Sequence, residues 1–249
     1  DINVISENSM RQKIKEIVIV VAILLSLYGV LCASVAFGFL QTALEPHLRE
    51  MNISAFNIAL IWVLFGVLYG IASPLGGVVC DRFSSYVVAI IGAIFTIISF
   101  ALIGPLPFLP FEKSISLIIV SIILMGIAMG FQLISGFSLA CKRATVYGFP
   151  DTVETYGAIS GLFASSIALG GFIGPTVAGI LSDAFGFQWS TLVVIFGQII
   201  VLIFLIILTI TATKQFKALN CTSKQEYQCL KKENNTKSEN SCNKLRGCR

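Results

Sequence analysis

The chain has 249 residues, of which 56% are apolar and only 12% charged, with a mean hydropathy of +0.88. A soluble domain carries about a quarter charged residues, so this composition excludes an ordinary water-soluble globule. The net charge of +4 is concentrated in a Lys-rich end and in short connecting segments. It reads as a membrane-topology signal and not as a nucleic-acid footprint.

The chain opens on Asp1 and not on Met, so upstream sequence is expected, and residues 1–16 read as a remnant of a cytoplasmic central loop. The first apolar run is too long for a signal peptide and lacks a small-residue cleavage site. A membrane span needs about 20 mostly apolar residues. Runs at about 17–43, 55–80, 86–109, 115–140, 156–182 and 187–212 satisfy that length. Lipid admits only helices or closed barrels, and the period-two alternation of a barrel strand is absent. The spacing therefore predicts an all-α membrane protein, with six transmembrane helices in a half-domain over 17–212. Residues 213–249 read as a disordered cytoplasmic tail containing Lys and Cys.

With six spans, both termini lie on one side of the membrane. That side collects fifteen of the seventeen Lys and Arg residues, leaving only Arg49 and Lys113 opposite. The positive-inside rule makes the termini cytoplasmic. Cys80, Cys141 and the four tail cysteines fall on that same reducing side, and Cys32 lies inside a span. No disulfide framework is expected. The tail cysteines have no C-x-x-C pair and no accompanying His, so neither a metal nor a cofactor is expected. Juxtamembrane Cys141 and Cys221 are palmitoylation candidates. Asn52-Ile53-Ser54 is a glycosylation acceptor pattern in the first outside loop. Asn220 and Asn234 match the same pattern but sit on the cytoplasmic side.

The second and fifth spans end alike. One reads Ser73-Pro74-Leu75-Gly76-Gly77-Val78-Val79-Cys80-Asp81-Arg82-Phe83, the other Gly174-Pro175 with Gly179, Asp183 and Phe185 following. Each has a small residue before Pro, then Gly, three residues, Asp, and Phe two further on. A repeat across three spans is inverted in the membrane, the mark of a 3+3 transporter half.

On these residues the chain resembles the C-terminal six helices of the major facilitator superfamily. Gly77-x-x-x-Asp81-Arg82 is similar to its cytoplasmic loop motif, and Gly170-Gly171-Phe172-Ile173-Gly174-Pro175 to the Gly-Pro motif of its gating helices. Leu44-Glu45-Pro46-His47-Leu48, Ser160-Gly161-Leu162-Phe163 and Gly186-Phe187-x-Trp189 resemble the vesicular amine transporter family, its polyamine branch above all. The resemblance covers about 17–212. It implies a twelve-helix fold whose two halves rock about a central site, so an N-terminal six-helix half is a required partner. Protons and a small-molecule organic cation are the implied substrates, and a secretory vesicle or other endomembrane the implied location.

Glu45 is the first candidate for chemistry. A carboxylate inside a span is a functional hypothesis by default, and the resemblance makes it the group that meets an ammonium and exchanges a proton. Pro46 is expected to break the helix there and free backbone carbonyls. The plain alternative is an interfacial Glu in contact with water. Monoamine members carry an Asp in the fourth and in the fifth of these helices, where this chain has Leu133 and Ala164. A monoamine substrate of the usual kind is thereby disfavoured.

Gln132, Tyr69 and Phe163 are the remaining cavity candidates, with helix packing as the competing reading for each. Gly77, Asp81 and Arg82 would latch the inner gate. Gly170, Gly174 and Pro175 would permit close helix approach and bending. His47, the single histidine, is an acid-sensor candidate or a solvated loop residue.

Other classes fare worse. An intramembrane hydrolase needs a nucleophile and a base, and no G-x-S-x-G is present. A voltage sensor needs Arg at every third position of a span, and none has it. A facilitator for an unrelated solute and a nontransporting truncated remnant stay as alternatives.

Overall fold

Long apolar runs bounded by polar turns give helices, because in lipid each backbone N–H must find its acceptor within its own segment. The structure, a computed structural model, describes the backbone of residues 2–104, 115–146, 149 and 152–210, and side-chain surroundings from 23 onward apart from 25 and 146. The elements are α1 (Ile2–Glu50), α2 (Ala55–Arg82), α3 (Ser85–Ile103), α4 (Ile115–Val146), α5 (Val153–Phe185) and α6 (Phe187–Ile210). Among the described residues six helices are long and apolar enough to cross a membrane, that of α1 being Ser26–Glu50. Chain contacts separate a unit Asp1–Leu205 from a second, Ile206–Arg249, whose described part is the end of α6. The expected continuation of the third span to 109 and the tail 213–249, with Cys221, Asn220 and Asn234, lie outside the described residues.

Helix α1 differs from expectation at both ends. Residues 2–16, assigned to a loop, continue the same helix. At the other end Pro46 sits inside the helix and does not break it. A proline in the last turns removes only the bond to the carbonyl four residues before it, here Thr42, and the flanking turns carry the helix on. The helix stops at a Schellman turn: Ile53 N–H donates to Leu48 O (3.3 Å) and Asn52 N–H to Arg49 O (3.0 Å). Asn52 supplies the left-handed φ of 57° that this turn requires. Ser54 then caps α2 through its Oγ, which accepts from Asn57 N–H at 3.4 Å.

The helices pair by backbone approach. Helix α1 packs chiefly on α5, α2 on α4, and α3 on α4. A Cβ added to Gly170 would fall 2.5 Å from Ser34 Cβ and 2.8 Å from the Leu31 carbonyl oxygen. One added to Gly174 would fall 2.5 Å from the Val35 oxygen. In the other crossing, Gly126 abuts Leu68 and the Phe65 carbonyl, and Gly130 abuts Ala72 and Ser73. Shifting each helix number by three carries α1 to α4 and α2 to α5, so the α1–α5 and α2–α4 crossings are counterparts. The packing thus carries the inverted 3+3 repeat read from the two Asp-terminated span ends. Gly38 lies against Gly174-Pro175, and Gly130 against Ala72-Ser73, just before Pro74.

The repeat also shows on the open sides of α2 and α5. Exposed apolar residues recur as Leu60, Val67, Ile71 and Val78 on α2, and as Leu162, Leu169 and Ile180 with half-buried Ile173 on α5. Both sets have the same spacing. Beside each runs a flank of small residues: Gly66, Gly70, Ser73 and Gly77 on α2; Gly157, Gly161, Ala164, Ala168 and Gly171 on α5. Each helix therefore presents an apolar stripe suited to lipid and a smooth one suited to another surface.

Close approach at Gly170 predicts a sharp contrast between glycines. Gly170→Ala is expected to destabilise the chain by about 1–3 kcal/mol through overpacking. Gly197→Ala, where an added Cβ meets nothing within 4 Å, should leave stability unchanged or slightly raised. Thermal unfolding in detergent, followed by size-exclusion fluorescence, measures both; equal melting points would disprove the crossing.

Candidate functional site

The exposed face of α1 near its Glu50 end is polar. Gln41, Thr42, Glu45, Pro46 and Arg49 are all exposed, and Gln41, Glu45 and Arg49 recur every four residues along one line. Glu45 Oε1 accepts from Arg49 Nη2 at 2.8 Å and from Nε at 3.0 Å. The pair is half-open to solvent on both sides, with side-chain exposures of 49% for Glu45 and 60% for Arg49. An exchange-ready contact results, since an exposed ion pair contributes about 1 kcal/mol or less. The carboxylate can release Arg49 for another cation.

Going one turn down from Gln41 the same line reaches Phe37, where a series of rings begins. Phe37 stacks on Phe65 (centroids 5.1 Å apart, 16° between planes) and meets Trp62 edge-on. Phe65 in turn stacks with Tyr69 at 6.3 Å and 3°. Ring faces attract weakly hydrated cations, so carboxylate, amide and aromatic surface follow one another from α1 to α2. Trp62 and Tyr69 stay half-buried and keep part of their rings open. Phe163 is also half-buried; it meets Phe137 edge-on at 5.2 Å, between α5 and α4.

Gln132 is placed differently. It is buried, and its Nε2 donates to Gln198 Oε1 at 3.2 Å, while Gln198 Nε2 donates to the Cys32 carbonyl at 3.2 Å. Thr96 Oγ1 lies 3.5 Å from Gln132 Oε1 and 3.1 Å from the Gly92 carbonyl. One amide chain therefore ties α3, α4, α6 and α1 through the interior. Among the described residues, no hydrogen bond, ion pair or ring contact joins any two of Glu45, Tyr69, Gln132 and Phe163. His47, expected either as a sensor or in a loop, is inside the helix and buried, stacked on Phe187 at 4.1 Å and 13°. Its Nδ1 lies 3.8 Å from Glu50 Oε2. Histidine reaches this place because α1 runs on past Pro46.

At the Arg82 end of α2, Asp81 and Arg82 are exposed and Gly77 is half-buried. The basic group that touches this corner is Lys142 of α4. Its Nζ donates to the Cys80 carbonyl (2.8 Å) and to Ser85 Oγ (3.0 Å), and Ser85 pairs with Ser138. The last carbonyls of a helix lack intrahelical donors, and a cation there also opposes the helix dipole. Arg143, alongside, donates to Tyr86 OH at 2.7 Å and lies over its ring. Among the described residues Asp81 forms no ion pair. Gly170, Gly174 and Pro175 sit at the α1–α5 crossing, and Asn52 is exposed in the α1–α2 turn.

Sequence reasoning missed Gln41, Gln198, Lys142 and Tyr86. Gln198 had a signal, being a lone amide within the apolar run of α6. Gln41 had one too, at one turn from Glu45. Lys142 had none, because its acceptor is a backbone atom. Among the described residues no group of three or more His, Cys, Asp or Glu is placed to hold a metal ion.

Six span-length helices arranged as an inverted repeat, with an open carboxylate at one helix end, define an integral multi-pass membrane protein. The sequence model of the Major Facilitator Superfamily matches residues 26–234, and the chain belongs to that family. Similar curated proteins carry the name MFS-type transporter SLC18B1. That of Mus musculus is 29% identical over 166 residues, 66% of this chain and 36% of the relative. That of Homo sapiens is 30% identical over 160 residues, 63% of this chain and 35% of the relative. The chain spans roughly a third of the length of these relatives.

The interior amide pair predicts strong coupling. Gln132→Leu or Gln198→Leu alone leaves one buried amide without its partner and should cost about 1–3 kcal/mol. The double variant should recover about 0.6–2 kcal/mol of the summed loss. Thermal melts of all four proteins close the cycle, and strictly additive losses would show that the amides act independently.

Proposed function

We propose that this chain is the C-terminal half of a secondary active transporter, a proton-coupled antiporter of organic cations of the polyamine type. The observation that carries the reading is Glu45, an exposed carboxylate within a membrane-spanning helix, held among the described residues only by a neighbouring Arg49. A charge in such a segment is costly unless it faces water or a partner. Gln41 one turn away and the half-open rings of Trp62 and Tyr69, packed about buried Phe65, continue a surface suited to an ammonium group. Absence of an Asp at Leu133 and Ala164 disfavours a monoamine.

The cycle follows from the exchange at Glu45. A protonated amine displaces the Arg49 guanidinium from the carboxylate, the two halves rock, and a proton taken up by the carboxylate releases the amine on the other side. Alternating access needs both walls of the cavity, so an N-terminal six-helix half is the partner. The small-residue flanks of α2 and α5 suit contact with that half, and Lys142 holds the α2–α3 corner against it. Both termini are cytoplasmic, by the distribution of Lys and Arg, and the membrane is that of a secretory vesicle or another endomembrane.

The Arg49 pair favours one second reading, in which Glu45 serves the gate and the solute is neutral.

The assembled transporter, in vesicles with an acid interior, tests the choice. Glu45→Gln should cut uptake of a diamine about a hundredfold, by loss of a charge contact of several kcal/mol. Arg49→Ala should lower the diamine KM by up to about fivefold, because a competing exposed cation is gone. Asp81→Asn should reduce turnover with little change in KM. Normal diamine transport by Glu45→Gln would assign the site to a neutral solute. The chain alone should show no uptake, and co-expression with an N-terminal half should restore it.

Topology has its own test. In sealed vesicles whose cytoplasmic face points outward, the tail should be open to protease and Asn52 enclosed. Glycans on Asn234 would reverse the orientation.

A further inference from the structure

At each end of the bundle a basic side chain near the close of one helix lies on a ring at the start of another. At the Arg82 end, Arg143 of α4 lies over Tyr86, its Cζ 5.5 Å from the ring centroid. At the opposite end the imidazole of His47 in α1 lies on Phe187, with centroids 4.1 Å and planes 13° apart. The two pairs are counterparts in the inverted repeat, since a shift of three carries α1 to α4 and α3 to α6. Arg143 and His47 each stand three residues before the end of their helix. Tyr86 is the second residue of α3 and Phe187 the first of α6. One pair holds a guanidinium, which stays charged. The other holds an imidazole, which titrates.

The geometry at the Glu50 end suits the charged form of the ring. Two neutral rings prefer an offset or edge-on approach, with centroids about 4.5–7 Å apart. His47 and Phe187 are closer than that and nearly parallel. A cation over a ring face is attracted in that arrangement, the more so where water is excluded, and His47 is only 4% exposed. Glu50 adds a carboxylate oxygen 3.8 Å from Nδ1. The other charged groups at this end are Glu45 and Arg49, paired with each other on the exposed face of α1, and exposed Asp183 of α5. Helices α3 and α6 contain no Asp, Glu, Lys or Arg, and the charged residues of α2 and α4 stand at the Arg82 end. Glu112 and Lys113, in the α3–α4 connection, lie outside the described residues.

We infer that His47 and Phe187 form a proton-operated clasp between the end of α1 and the start of α6. Proton uptake by the imidazole tightens it, through attraction to the Phe187 face and to Glu50, and proton loss loosens it. By linkage, closing the clasp takes up a proton. The last turns of α1 also carry the Glu45–Arg49 pair, so a proton on His47 steadies the segment that presents the carboxylate. His47 is thus a positioning residue that acts through the helix, and the clasp works alike for a cationic or a neutral solute. Arg143 and Tyr86 repeat the design without the switch. Acid on the Glu50 side therefore stiffens one end of the wall and leaves the other as it was.

Hydrogen exchange of the full 249-residue chain in detergent, read by mass spectrometry, tests the clasp. The segments to follow are the end of α1 and the first turns of α6, at about pH 5.5 and about pH 8, on either side of an ordinary histidine. After correction for the intrinsic exchange rate, protection there should be about tenfold greater at the lower pH, the worth of a cation–ring contact. His47→Gln keeps a planar polar side chain without a titrating ring and should remove that difference. Phe187→Leu keeps apolar bulk without a ring face and should cut it to about threefold or less. The segments around Arg143 and Tyr86 should show no difference between the two pH values. Equal protection at both pH values overturns the inference, and so does greater protection at the higher one. A difference that survives unchanged in either variant, or an equal response at both ends of the bundle, rejects it too. His47 is the single histidine of the chain, so nuclear magnetic resonance of His-labelled protein gives a reading that needs no variant. A ring still uncharged at about pH 5 would overturn the clasp as well.

Discussion

Helices in a bilayer gain nothing from hiding leucine from lipid, so something other than the hydrophobic effect must hold them together. Here that constraint is met by glycine. At Gly170 and Gly174 the backbone of α5 lies directly on the backbone of α1, and at Gly126 and Gly130 that of α4 lies on α2. Such contacts draw on dispersion over a long, flat crossing, which any side chain would hold apart. Everything else takes its position from these two crossings. They set α1 and α4 inside, leave α2 and α5 open along one side, and carry Glu45 and the aromatic series onto the uncovered face. Polar ties act at the margins: the Gln132–Gln198 pair through the interior and Lys142 at the α2–α3 corner.

Much of this was legible in the residues, and for definable reasons. Span number and type followed from length and hydropathy, because lipid leaves almost no alternative to a helix. The repeat was legible from two span ends, since Ser-Pro or Gly-Pro followed by Gly and Asp recurs three spans later. Ends were harder. Pro46 was expected to stop α1, yet a proline deletes one bond and not a helix, and the Schellman turn at Asn52 ends it instead. That displacement moves His47 from an expected loop onto the face of Phe187.

At the site, Glu45 was legible because a carboxylate in a span is rare enough to single out. Its partner Arg49 was visible at i+4 but carried weight only as a topology marker. Gln132 was legible as a polar residue in a span, and its surroundings were not. An amide one helical turn from a cavity and an amide in a helix contact have the same sequence signature. The distinction is made by Gln198, which is 66 residues away. Lys142 was beyond reach for another reason: it binds the Cys80 carbonyl, and a backbone acceptor leaves no trace in residue types.

A transporter must be rigid enough to move as one body and unfinished enough to receive a substrate. The distribution of hydrogen bonding in this half separates the two demands in space. Where α3, α4, α6 and α1 meet, amide, hydroxyl and carbonyl groups bond to one another, as in Thr96, Gln132, Gln198 and Cys32. Where α1, α2 and α5 are open, prolines do the reverse and remove donors from Thr42, Gly70 and Gly171. The closed network fixes the wall as a single piece, whereas each proline loosens one helical turn that the interior network does not tie, so bending is confined to the side on which the chain is open.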